Sequence, residues 1–246
     1  MRIIAPTKTK IRLFLFLALI TIFSVLIAGT GIVIRRAAID AASEKNIFQT
    51  VIVDAGHGGP DGGTSAADGT LEKDINLQIA TKLNETLKAM GIETVMIRDT
   101  DVSIHNDSAD TIRQKKISDL KNRLNIINNA ENAIFVSIHQ NHFSDSKYSG
   151  TQVFYSKNNP LSDSLADSIR HSVISYLQTD NTREIKQSGT EIYLLHHAQI
   201  PAVMVECGFL SNINETENLK NEEYQRKIAF LIAVGIVDFF NKTEEH

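Results

Sequence analysis

Three apolar runs in this chain each lead into a side chain that binds metals or moves protons: Val51-Ile-Val-Asp-Ala-Gly-His57, Ala133-Ile-Phe-Val-Ser-Ile-His139 and Ala202-Val-Met-Val-Glu206. Short runs of this kind read as buried strands. Segments of helical period lie between them. Ile75, Ile79, Leu83 and Leu87 recur every four residues, and Gly91 is placed to close that helix. Ile92–Ile97 reads as a strand, and Ile117, Leu120, Leu124 and Ile127 follow at helical spacing. Gly150–Tyr155 alternates as a strand at or near an edge. Asn158-Asn-Pro160 predicts a helix start, with an Asn cap and Pro in the first turn, and Leu161, Leu165, Ile169, Val173 and Leu177 continue it as an i,i+4 stripe. A last helix spans about residues 222–240. Strands alternating with helices predict an α/β fold, a three-layer αβα arrangement around a mixed, mostly parallel sheet.

Parallel strands end on one edge of the sheet, where open α/β sheets place their ligands. His57, His139 and Glu206 can therefore converge although about 150 residues separate the first from the last. The first of these ends runs into a loop with five glycines, Gly56, Gly58, Gly59, Gly62 and Gly63. Glycine lets the backbone take positive φ and approach a neighbour closely. The expectation is that these glycines clear space around His57. No Gly-Lys-Ser/Thr follows, so the loop is not a phosphate loop.

Residues 13–34 carry no charged side chain over 22 positions, about the length of a membrane-crossing helix. A basic segment precedes it (residues 1–12, with Arg2, Lys8, Lys10 and Arg12), and Arg35 and Arg36 follow. The positive excess lies on the N-terminal side, which keeps that end in the cytoplasm and sends the body outward. The run is longer than the 7–15-residue core of a cleaved signal peptide, so an uncleaved anchor is the favoured reading. Residues 35–48 then form a tether, and residues 49–242 a single folded domain. An apolar share of 42% with 22% charged residues fits a folded body, and the one cysteine, Cys207, rules out an internal disulfide. A net charge of −4 without a Lys/Arg cluster on the body argues against nucleic acid as a partner.

Two neutral imidazoles and a carboxylate form a common ligand set for catalytic zinc, with a second carboxylate needed to move protons. Glu72, in Gly69-Thr-Leu-Glu-Lys-Asp74 at the start of the first helix, lies close to the loop carrying His57. His57, Glu72, His139 and Glu206 supply that inventory, and there is no His-Glu-x-x-His motif.

Several motifs in order now identify a resemblance: Asp54-Ala-Gly-His-Gly-Gly-Pro-Asp-Gly-Gly63, Glu72-Lys-Asp-Ile-Asn-Leu77, Arg98-Asp-Thr-Asp101, Arg123, Ser137-Ile-His-Gln-Asn141 and Val205-Glu-Cys-Gly-Phe-Leu-Ser-Asn212. The chain resembles the zinc-dependent N-acetylmuramoyl-L-alanine amidases of the family-3 type. The resemblance implies His57, Glu72 and His139 as ligands of one zinc ion and Glu206 as the catalytic carboxylate. It also implies hydrolysis, by zinc-activated water, of the amide joining N-acetylmuramic acid to the first L-alanine of the peptidoglycan stem peptide. Within that family the chain looks most like the sporulation amidases that prepare cortex peptidoglycan, where peptide removal leads toward muramic-δ-lactam. It departs from the commoner pattern at Ala55 and Cys207, neither of them a ligand position. No extra helix precedes Glu206 to plug the site, so control is left to some other device, an accessory activating protein among the possibilities. The donor set also admits other divalent metals.

Blander roles fit the remaining candidates. Asn141 and Arg123 could orient ligands or substrate, and structural hydrogen bonding explains them as well. His142, His196 and His197 read as surface or substrate contacts, His105 and His171 as solvated. Cys207 alternates with Glu206 and is expected to pack on the opposite face of the strand. Two other functions compete with the amidase: a zinc peptidase cutting inside the stem peptide, and a non-catalytic peptidoglycan-binding module.

Overall fold

The computed structural model describes residues 50–244, so the anchor and tether expected over residues 13–48 lie outside the described residues. Among the described residues, no helix is long and apolar enough to cross a membrane. Six strands form one sheet: β1 (Thr50–Ala55), β2 (Glu93–Met96), β3 (Ala133–Asn141), β4 (Gln152–Tyr155), β5 (Lys186–Gln187) and β6 (Ala202–Phe209), in the order β2-β1-β3-β6-β4-β5. The pairs β1–β2, β1–β3, β3–β6 and β4–β5 are parallel, and β4 runs antiparallel to β6. The sheet is thus mixed and mostly parallel, as the alternation of strand and helix patterns predicts.

Among the described residues six helices accompany it: α1 (Glu72–Ala89), α2 (Ile112–Asn128), α3 (Ser162–Tyr176), α4 (Tyr193–His197), α5 (Ile213–Lys220) and α6 (Glu222–Glu244). Period-two alternation divides the strand residues between two cores. Val51, Val53, Ile134, Val136, Val203, Val205 and Cys207 pack against the apolar stripes of α1, α3 and α6. Ile52, Phe135 and Met204 face a smaller cluster with Ile127 of α2 and with Leu194 and Leu195 of α4. Asp54, Ser137, His139 and Glu206 fall on that second, more thinly covered side by the same alternation.

The structure corrects several local expectations. His139 and Glu206 do not end their strands, since β3 continues to Asn141 and β6 to Phe209. The two residues are cross-strand partners, followed by a bulge before Asn141. Helix α3 begins at Ser162, not at the Asn158–Pro160 segment. Asn158 instead donates through Nδ2 to the carbonyls of His196 (2.7 Å) and Ala198 (3.1 Å), which tertiary contact outcompetes a cap. Helix α2 opens earlier than its apolar spacing implies, at a Thr111/Gln114 capping box, and its most buried side chains include Asp119 and Arg123 while Ile117 is 44% exposed. Gly91 closes α1 at φ 81°, as expected.

Gly235 sets the closest approach of two helices. A Cβ there would lie 2.5 Å from Ile169 Cα and 2.8 Å from Ser168 O of α3. Alanine would gain about 1 kcal/mol of helix propensity. Because the obstacle is backbone, overpacking costs about 3 kcal/mol and prevails. Gly235→Ala is therefore expected to destabilise by about 2 kcal/mol, read in calorimetry as a fall in Tm of roughly 4–8 °C. An unchanged or raised Tm would refute this packing argument.

Candidate metal centre and active site

The loop after β1 is held from beneath by two buried arginines. Arg98 donates to the carbonyls of Ala55 (2.8 Å), Gly56 (3.0 Å), Lys73 (2.8 Å) and Thr100 (3.0 Å). Arg123 pairs with Asp54 and Asp119, and donates through Nη2 to the carbonyl of His57 (2.7 Å). Ser137 completes the shell of Asp54, donating its hydroxyl to Oδ2 at 2.6 Å. Burial alone would raise the Asp54 carboxyl, but Arg123 and Ser137 outweigh it and hold the group below the usual carboxylate range. Further along, Asp101 accepts from Gly59 N (2.8 Å) and pairs with Lys73 (2.6 Å), closing the loop against α1.

On this base His57, Glu72 and His139 come together. One ligand atom from each lies within 4.8 Å of the others, the group of three metal-capable side chains found among the described residues. His57 Nε2 stands 3.2 Å from Glu72 Oε2, and His139 Nδ1 2.9 Å from Glu72 Oε1. The rings meet edge to face, 5.0 Å apart at 72°. Each histidine thus faces its own oxygen of Glu72, and two imidazoles with a carboxylate are the donor types that hold catalytic zinc. Glu72 is oriented by three further donors, Thr64 N (2.9 Å), Gln140 N (3.2 Å) and Asn76 Nδ2 (3.3 Å). Despite burial, the neighbouring histidines keep its carboxyl far below the usual range. Burial also works against a charge on His57, yet hydrogen bonds to Asp61 and Glu72 prevail and lift its pKa to about 9.

Glu206 lies beside this group, across the strand from His139, and differs from Glu72 in one respect. Its Oε2 is buried with no hydrogen-bond partner. Burial pushes the carboxyl up to about 7, with the nearby histidines opposing and Glu72 adding to the rise. An unsatisfied buried carboxylate costs stability, so its retention here points to work done on a group that enters the site.

Two glycines make the cluster possible, one of them beside His57 as expected and both beside another ligand candidate. A Cβ at Gly56 would lie 2.2 Å from His139 Nε2, so Gly56 makes room for His139. Gly63, at φ 69°, leaves space for Glu72 Oε2 (2.5 Å from its would-be Cβ) and for His57 Cδ2 (2.7 Å). His57 itself adopts φ 63°, unusual for a residue with a side chain.

The other candidates separate clearly. Arg123 is a buried anchor of the loop. Asn141 turns its Oδ1 back to His142 N (2.8 Å) and is not joined to the ligand group by any hydrogen bond. On α4 His196 meets His197 edge to face at 4.7 Å and His197 meets Tyr193 at 4.6 Å, apart from the His57–Glu72–His139 group. His105 bonds Ser103 Oγ (2.9 Å), His171 is exposed, and Cys207 packs in the larger core. Sequence reasoning gave no separate role to Asp54, Asp61, Arg98 or Asp101. A charged residue within or just after an apolar strand was the available signal, since burying it requires a partner.

Of two cavities, one opens on the centre. That one, of about 200 Å³, is lined by His57, His139, Asp61, Lys116, Tyr193 and Met204 among others. The other, about 550 Å³, is built from residues 65–68, 142–144 and 210–217, the segments adjoining Glu72, His139 and Glu206.

Comparison with known proteins agrees with this architecture. The family profile described as N-acetylmuramoyl-L-alanine amidase matches residues 51–238. The germination-specific N-acetylmuramoyl-L-alanine amidase of Bacillus subtilis is 32% identical over 196 residues, covering 78% of this chain and 80% of that protein. The CwlD amidase of Clostridioides difficile, solved in complex with the GerS lipoprotein, superposes with a TM-score of 0.76 at 43% identity over 79% of this chain and 99% of that one. A second amidase, from Clostridium difficile 630, gives 0.68 at 31% identity, over 79% and 97%. With its motifs, its fold and its clustered side chains all in agreement, the chain belongs to the N-acetylmuramoyl-L-alanine amidase family.

Proposed function

We propose that this amidase cuts the bond between N-acetylmuramic acid and L-alanine with one zinc ion held by His57, Glu72 and His139, and with Glu206 as its proton carrier. The observation that carries the reading is the meeting of three metal-capable donors beside Glu206, whose Oε2 is buried without a hydrogen-bond partner. Zinc in such a site supplies Lewis acidity, lowering the pKa of water toward about 7 and polarising a carbonyl oxygen. The protein does the rest. Glu72, kept ionised, offers charge to the metal, and the neutral imidazoles of His57 and His139 offer lone pairs. Glu206 accepts a proton from the attacking water and returns it to the departing amide nitrogen of L-alanine. A carboxyl lifted to about 7 exchanges protons readily near neutrality. Arg98 and Arg123 hold the loop so that these groups meet substrate already oriented.

The germination-specific relative and the CwlD neighbour support a role on spore cortex peptidoglycan. Cleavage there frees the lactyl carboxyl from which muramic-δ-lactam is made. We extend the proposal to an exported domain, residues 49–242, tethered by residues 35–48 to an uncleaved anchor over 13–34 on the outer face of the membrane. An accessory lipoprotein is the proposed partner, since the CwlD neighbour was solved with one.

Zinc analysis of the full-length chain, combined with mass spectrometry of digested cortex peptidoglycan, tests the reading. Expected are one zinc per chain and free stem peptides beginning with L-alanine. His57→Ala should lose zinc on dialysis. Intact lactyl amides with cuts inside the peptide would replace the amidase by a peptidase, and full zinc in His57→Ala would remove that residue from the ligand set.

A further inference from the structure

His57 presents a nitrogen to each of two carboxylates. Nε2 faces Glu72 Oε2 at 3.2 Å, while Nδ1 lies 2.9 Å from Asp61 Oδ2. We infer that Asp61 is the positioning residue of His57, fixing its tautomer and its aim toward the metal group from outside the ligand set. An ionised carboxylate only accepts hydrogen bonds, so the proton on a neutral His57 sits at Nδ1. That leaves the Nε2 lone pair pointing at Glu72 and the site of the ion. Histidine ligands backed by a carboxylate in this way are better oriented and more basic.

Asp61 is itself fixed. Its backbone forms an antiparallel bridge with Gly58, through Gly58 N to Asp61 O (3.0 Å) and Asp61 N to Gly58 O (3.1 Å). Gly63 N reaches Oδ1 at 3.3 Å, and Lys116 Nζ lies 3.0 Å from Oδ2. This turn follows directly on His57, whose φ of 63° is a conformation that costs about 1–3 kcal/mol and persists where neighbours over-determine it. His139 differs. Its Nδ1 faces Glu72, its Nε2 edge lies against Gly56, and among the described residues no second carboxylate bonds it. Orientation of His139 comes from a strand, whereas His57 sits on a loop and needs the added partner.

The inference rests on the zinc reading above, and the test keeps the two apart. Zinc affinity is measured by chelator competition on the full-length chain, for wild type, Asp61→Asn and Asp61→Ala. Asp61→Asn, which keeps an acceptor but loses the charge, should bind zinc about 10-fold more weakly, and Asp61→Ala nearer 100-fold. Nitrogen-15 NMR of the zinc form should show a protonated, slowly exchanging Nδ1 on His57 in wild type and a rapidly exchanging one in Asp61→Ala. A merely structural loop role would not move that signal. Should Asp61→Ala fail to fold, Asp61→Asn carries both measurements. Zinc affinity within twofold of wild type in the variants, with wild type fully loaded, overturns the inference alone. A wild-type chain that takes up no zinc overturns the zinc reading, and this inference with it.

Discussion

Glu206→Gln is expected to leave the protein folded and able to hold zinc while slowing amide hydrolysis by about 10²–10⁴-fold, the usual range for loss of a general acid–base group. The amide is nearly the same size as the carboxyl, so β6 keeps its packing between β3 and β4. Zinc is retained because the three donors lie on other segments, at His57, Glu72 and His139. What disappears is a group able to take a proton near neutral pH and give it back. Turnover on muropeptides beside zinc content of the same sample checks this. Activity within a factor of about three of wild type would show that another group carries the proton.

Arg123→Leu is expected to destabilise the fold by about 3–5 kcal/mol, because it strands the buried Asp54 without its counter-charge. Both partners are almost wholly enclosed, Arg123 at 2% and Asp54 at 1% exposure, so water cannot replace the lost pair. The pH dependence gives a sharper test. In wild type the Asp54 carboxyl is held below its ordinary value of 3.8, so the folded chain binds that proton less tightly than the unfolded one. Its contribution is present above about pH 3.8 and is lost as the pH falls through the lowered value. Without Arg123, burial dominates and raises the folded carboxyl above its unfolded value. The variant should then recover stability, relative to wild type, as the pH is lowered from 8 toward 5. Denaturant titrations at the two pH values measure it, and an equal deficit at both would show that Asp54 is not left charged and unpaired. The variant also loses the bond to the His57 carbonyl, so weaker zinc binding should accompany the instability.

Much of the site was legible in the residues. Strands leading into His57, His139 and Glu206 announce themselves by composition, and parallel pairing brings their far ends to one edge. Period-two alternation correctly sent Cys207 to the face opposite Glu206. Glu72 was placed near His57 by its position at the start of α1. Less was legible about what holds these groups. Arg123 and Asp54 are 69 positions apart, and Arg98 meets the Ala55 carbonyl across 43. No local pattern ties such residues together, because the energy that pairs them arises only when both are buried in the same place. Both arginines belonged to recognisable motifs, yet their work as anchors of the loop carbonyls is a property of the packed molecule.

The sequence by itself determined the alternating strands and helices, the order of the chemical side chains and the glycine-rich loop. Each of these follows from local periodicity or local backbone freedom. Tertiary structure decided which neighbour each glycine accommodates: His139 for Gly56, Glu72 and His57 for Gly63. It decided that His139 and Glu206 sit side by side within their strands, and that Asp61 stands behind His57. These depend on register and on close approach between distant segments, where a displacement of one residue turns a side chain to the other face of the sheet.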